Sequence, residues 1–413
     1  MKRASSKLRD FVKRELSNKE IKPFKFSKTN VPFIMTLYRL LLDADAIWPS
    51  IPRSFMPVSI NDAKGPDFEY SPTKVKKTIL EKVREGRVYT FAVKTKIIKV
   101  TIMLGEMISH DKIDRVCDSI IRRIFIWLYI ATQFAKKQCS DTISIYLYFT
   151  DESKELPSSR MIPVDQINVN TAYTVPCRGF IYIYRSEEWF KVFIHETFHN
   201  LVLDFSAMSS RGSTNKILSL LPLNITDVRI YETYCETWAR IMNTMFLAHA
   251  STRDKRNTQV VLRKMEQFIY LEQQFSMFQC AKLLYHYGLT YADIIKTNSA
   301  SSKGLTQKRL KYKENTYALS YYIITPILLF FADVFIDWCI MNNHNSLDFD
   351  KTEANIGEYC TLIKQYYQDP DYLFAMDHIT NSHNELKANQ STSLLPFELD
   401  NLRMTVLEIS DLD

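Results

Sequence analysis

"FIHETFHNL", residues Phe193–Leu201, carries two histidines four residues apart with a glutamate directly after the first. On a helix, positions i and i+4 share a face, about one turn apart. His195 and His199 can then bind one tetrahedral zinc ion at about 2.0–2.1 Å. Glu196 projects beside them as the general base for a water acidified by the metal. With 8 histidines in 413 residues, a chance HExxH has an expected count of only about 0.008. The apolar flanks Val192, Phe193, Ile194, Phe198, Leu201 and Val202 imply a half-buried helix, which rarely gathers two imidazoles and a carboxylate without a partner.

The pattern upstream supplies a sheet for this helix. "RVYTFAVKTKIIKVTIML", Arg87–Leu104, is β-branched and aromatic and reads as a hairpin. Apolar residues then keep helical spacing from Asp111 to Lys137. "TISIYLYFT" (Thr142–Thr150), "INVNTAYTV" (Ile167–Val175) and "RGFIYIYR" (Arg178–Arg185) read as three strands. The HExxH helix is expected from a cap at Ser186, with Glu187 and Glu188 in its first turn, to about Leu203. Helical patterns follow at about 226–248, 256–286, 313–342 and 351–367.

Two histidines leave a protein ligand to find. The spacing H-E-x-x-H-x-x-G-x-x-H fails, because position 202 is Val and position 205 is Phe. Glu232 and Glu236 on the next helix share a face. Glu236, in "CETWA", is expected as the third ligand, because Ala239 lets the two helices approach closely. Glu232 and Asp204 are assigned to the shell around the ligands. His286, Tyr287, Tyr321 and Tyr322 are unranked candidates for a donor to a developing oxyanion.

This order of elements resembles the zincin metallopeptidases, specifically the gluzincins, and "CETWA" is similar to their E-x-x-A pattern. The run "YRSEEWFKVFIHETFHNLVLDFS", Tyr184–Ser206, also resembles uncharacterised HExxH proteins encoded by large nucleocytoplasmic DNA viruses. The likeness covers about residues 111–250. It implies an α+β fold, with a zincin-like core whose small mixed sheet packs on the HExxH helix, followed by a mostly helical C-terminal subdomain. It implies one Zn²⁺ per chain and a zinc peptidase, expected to be an endopeptidase, that hydrolyses a protein or peptide substrate. It makes Asn170, Thr171 and Ala172 the edge strand that pairs with an extended substrate. The alternative is a non-catalytic zincin-like structural or virion-associated binding protein.

Composition narrows the remainder. The chain has 8 glycines, 23 tyrosines and 25 phenylalanines, and no glycine-rich phosphate loop. Its net charge of +7 is matched by the excess within residues 1–28, so positive charge sits on the arm rather than along the chain. That arm reads as a solvated tail or a contact to nucleic acid or an acidic surface, and Leu8, Phe11, Val12 and Leu16 fall on one helical face. The 7 scattered cysteines, none in a CxxC pair, argue against a disulfide framework and for an intracellular, reducing compartment, host cytoplasm or virion if viral. No transmembrane segment is expected, since Pro326, Asp333 and Asp337 interrupt the most apolar run, Tyr321–Ile340. The expected division is 1–30 basic arm, 31–110 N-terminal region with the hairpin, 111–250 catalytic core, 251–380 helical subdomain and 381–413 flexible acidic tail.

Overall fold

The computed structural model describes residues 3–59, 61, 64–66, 68–82, 85–104, 110–296, 303–389 and 396–409. Among these, six strands form one mixed sheet: β1 (Ser54–Ser59), β2 (Glu85–Val93), β3 (Lys96–Leu104), β4 (Thr142–Thr150), β5 (Ala172–Thr174) and β6 (Phe180–Arg185), in the order β1-β2-β3-β4-β6-β5. The β2–β3 hairpin pairs along its length, from Glu85 with Leu104 to Val93 with Lys96. β3, β4 and β6 run parallel, and β5 closes the far edge antiparallel to β6. The hairpin therefore belongs to the core sheet, not to the separate N-terminal region expected for 31–110.

The helices are α1 (Arg3–Phe11), α2 (Val31–Ile47), α3 (Thr73–Lys82), α4 (His110–Phe134), α5 (Gln166–Val169), α6 (Trp189–Asn200), α7 (Arg211–Leu220), α8 (Ile230–Ser251) and α9 (Thr258–His286). After them come α10 (Tyr291–Ile294), α11 (Lys303–Arg309), α12 (Thr325–Phe330), α13 (Ala332–Asn342), α14 (Glu353–Tyr366), α15 (Pro370–Ala388) and α16 (Pro396–Asp400). Strand alternation sorts the side chains by face. Ile143, Ile145, Leu147, Ile181 and Ile183 join the main core with α4, α6 and α8, while Tyr148, Tyr182 and Tyr184 face the other way, with Phe68, Val75 and Ile79. Tyr146, Tyr182 and Tyr173 stack across β4, β6 and β5 with centroids 4.6 and 4.8 Å apart.

Both ends depart from expectation. Leu8, Phe11, Val12 and Leu16 are buried in the main core, so the amphipathic face of α1 docks and the basic arm is no solvated tail. The expected flexible tail is also built in. Residues 380–388 belong to α15, and Leu402, Met404, Val406 and Leu407 are buried. The acidic Glu408 is satisfied inside the protein: its Oε2 accepts from Ser5 Oγ at 3.0 Å and from Arg403, and its Oε1 accepts from Glu188 N at 2.6 Å. Residues 390–395 of the expected linker lie outside the described ones.

Cys139 and Cys177 form a disulfide, which the sequence reading did not anticipate; the segment before β4 and the turn before β6 bring the two together. Cys117, Cys235, Cys280, Cys339 and Cys360 are free and buried. Among the described residues no single helix is long and apolar enough to cross a membrane, and the run 319–342 bends by 89° between α12 and α13.

Candidate metal centre

α6 differs from expectation at both ends, and each difference serves the site. It begins at Trp189, not near Ser186. Glu188 is its N-cap residue, with φ +57°, and its carboxylate turns away to bond Lys154 Nζ at 2.7 Å and Met404 N at 2.7 Å. The helix stops at Asn200 because Val202 takes φ +54° and Leu203 N bonds Phe198 O at 2.8 Å. This is a Schellman closure, usually made by glycine. A β-branched residue there costs on the order of 1–3 kcal/mol. It turns the chain so that Asp204 comes back onto His199 Nδ1.

The buried helices α6 and α8 pack together and bring three acceptor atoms to one point. His195 Nε2 lies 3.1 Å from His199 Nε2 and 3.1 Å from Glu232 Oε2, and His199 Nε2 lies 3.3 Å from that same oxygen. A tetrahedral ion with bonds of about 2.0–2.1 Å separates its ligands by about 3.3 Å, so the triangle has the dimensions of three ligands to one metal. Among the described residues it is Glu232, not the expected Glu236, that completes with the two histidines a group able to hold a metal ion.

Glu236 sits one turn further along α8, behind His195. Its Oε2 lies 3.2 Å from His195 Nδ1, too oblique for a hydrogen bond but close enough to favour the ring proton there. Glu236 also accepts from Lys191 Nζ at 2.9 and 3.0 Å and from Arg240 Nε at 2.9 Å. These cations and His195 overcome burial and hold its pKa well below the usual carboxylate range. Asp204 faces His199 in the same way, here with a hydrogen bond, accepting from its Nδ1. With both Nδ1 atoms facing carboxylates, both Nε2 lone pairs are left to point at Glu232. Cys235 Sγ is 3.5 Å from Asp204 Oδ2 on that outer side, and burial keeps its thiol protonated.

Three acceptors facing one another need a cation or a proton between them. Burial depresses both imidazoles, but the carboxylates around them outweigh it, so both histidine pKa values are raised. Burial would raise Glu232, yet the imidazoles lower it. The donor set of two imidazoles and a carboxylate fits zinc, and it forms one of two such clusters among the described residues; the other, His199, Asp204 and Cys235, shares His199 through its second nitrogen.

Glu196 lines a small cavity of about 30 Å³ with His195, Tyr321, Asn170, Thr171 and Ala172, room for about one water. Burial raises its carboxyl pKa above the usual range, with His195 and His199 pulling the other way. The expected edge strand is therefore at the site: Ala172 opens β5, while Asn170 and Thr171 lead into it. Of the four donor candidates, Tyr321 alone lines this cavity, presented by a π-helical segment, Leu319–Ile324, and its hydroxyl donates to Glu232 Oε2 at 2.8 Å. Tyr287 and Tyr322 spend their hydroxyls on Ile162 O and Leu402 O, and His286 lines a different cavity. Lys154 and Lys191, both buried, also line the cavity; no motif marked them in the sequence. No family model, curated protein or solved structure matches this chain.

Proposed function

We propose that the protein is a zinc-dependent peptidase of gluzincin-like design, with His195, His199 and Glu232 as metal ligands. The observation that carries this reading is the triangle of His195 Nε2, His199 Nε2 and Glu232 Oε2, with sides of 3.1, 3.1 and 3.3 Å, beside Glu196 in one cavity. Zinc bound there supplies Lewis acidity and an acidified water. Glu196 would receive the proton from that water and then deliver it to the leaving amine. Tyr321 lines the same cavity and, with its hydroxyl turned from Glu232, is the donor to charge developing on the scissile carbonyl. The Asn170–Ala172 backbone, at the open edge of the sheet, holds an extended peptide by strand addition.

The test combines metal analysis with a peptide-library cleavage assay. Wild type is expected to carry about one zinc per chain, and Glu196→Gln to keep the zinc while cleavage falls by about 10²–10⁴-fold. Protein that stays metal-free under zinc-replete conditions sinks the reading. Zinc-loaded protein whose Glu196→Gln variant is unchanged in every assay supports a binding protein on the same scaffold instead.

A further inference from the structure

Away from the metal centre, a cavity of about 630 Å³ opens between the 155–160 loop, α9 and α15. That volume falls in the range of small-molecule sites. Its wall holds two polar side chains with no exposed surface, Lys282 and His383. Lys282 Nζ donates to Asn401 O at 2.6 Å and lies 5.1 Å from the Phe278 ring, and has no carboxylate at ion-pair distance among the described residues. Both ring nitrogens of His383 are buried without a hydrogen bond. A buried amine with one acceptor and a buried imidazole with none are costly unless something else meets them.

The remaining charges set the sign. Arg160 is exposed on the loop and unpaired with any carboxylate among the described residues. Lys387 has Asp400 at 3.5 Å, and Glu155 accepts from Ser153 Oγ at 2.6 Å. Glu155 keeps its charge, since a serine hydroxyl does not neutralise it, but Arg160 and the Lys282 amine have no carboxylate partner among the described residues, and an anion bound beside them would meet both. The cavity far exceeds an inorganic ion, and Leu156 and Tyr285 give it an apolar wall.

We propose that this cavity binds a small phosphorylated organic molecule, its phosphoryl group against Lys282, Arg160 and Lys387 and its organic part against Leu156 and Tyr285. Burial holds the Lys282 amine well below its ordinary pKa and brings His383 down to about 4. An anion seated beside them opposes both shifts. The site shares no residue with the metal centre and does not depend on it.

The experiment is phosphorus NMR of phenyl phosphate, with inorganic phosphate in a second arm, titrated with the full chain. Wild type is expected to broaden the phenyl phosphate signal more than that of inorganic phosphate, in metal-loaded and chelator-treated protein alike. Arg160→Ser, on an exposed loop and safe for folding, is expected to weaken binding at least tenfold, and Lys282→Met to abolish it. No broadening by wild type overturns the proposal, as does equal broadening by wild type and Arg160→Ser. Equal affinity for both probes rejects the organic part of the ligand.

Discussion

The Tyr321 hydroxyl donates to Glu232 Oε2 at 2.8 Å, so the oxygen that faces both histidines also holds a neutral donor from another helix. Tyr321→Phe separates two roles. If the hydroxyl meets the oxyanion, zinc stays stoichiometric and kcat falls by about 10²–10³-fold with KM little changed. A loss of zinc affinity with unchanged turnover per bound zinc would reduce Tyr321 to positioning Glu232.

The two glutamates of α8 are told apart by metal affinity. Glu232→Ala is expected to abolish stoichiometric zinc. Glu236→Gln, which removes a carboxylate behind His195, is expected to retain zinc with affinity lowered by about 10–100-fold. Competition with a chromophoric chelator measures both, and the opposite ranking would return the ligand role to Glu236.

Glu408 is predicted to be structural. Glu408→Ala leaves Arg403 with only the longer pair to Glu187 at 3.9 Å and the Glu188 amide without this acceptor. Losing one member of a buried pair costs about 3–5 kcal/mol. Urea unfolding should show that loss, and a variant as stable as wild type would show that the packing of residues 402–407 alone holds the segment.

Acid stability depends on His383. Its folded pKa is depressed to about 4 by burial, then by the charges of Lys282 and Lys387, with the nearby Asn384 side chain pulling the other way. Because the folded value lies below the unfolded one, its contribution is present above about pH 6.5 and is lost as pH falls through about 4. The loss amounts to roughly 3 kcal/mol. His383→Phe, between the Phe278 and Tyr285 rings, is expected to flatten the fall in stability between pH 7 and 4. An unchanged pH profile would place the acid-sensitive group elsewhere.

Much of the site was legible because local periodicity encodes it. The i,i+4 spacing put His195, Glu196 and His199 on one helix, and alternation identified β4 and β6. Glu232 and Glu236 share a face for the same reason, and that is why the sequence could not rank them. Which turn of α8 comes level with the histidines is set by how α6 and α8 slide past each other, a tertiary quantity. Residues 402–408 read as an acidic tail because charge was counted without partners. The Glu188 amide and the Arg403 guanidinium that meet the Glu408 carboxylate are placed by the fold alone. Cys139 and Cys177 are 38 residues apart, and their pairing follows from strand order, which spacing does not carry.

Glu408 also imposes an order of events. It joins Ser5, near one end of the described chain, to the amide at the start of the HExxH helix, near its middle, from a place near the other end. A nascent chain that has not yet released residue 408 from the ribosome lacks this clamp, however long α6 has been available to fold. Support for the start of this helix is thereby tied to the synthesis of residue 408, and fragments that end before it lack the clamp.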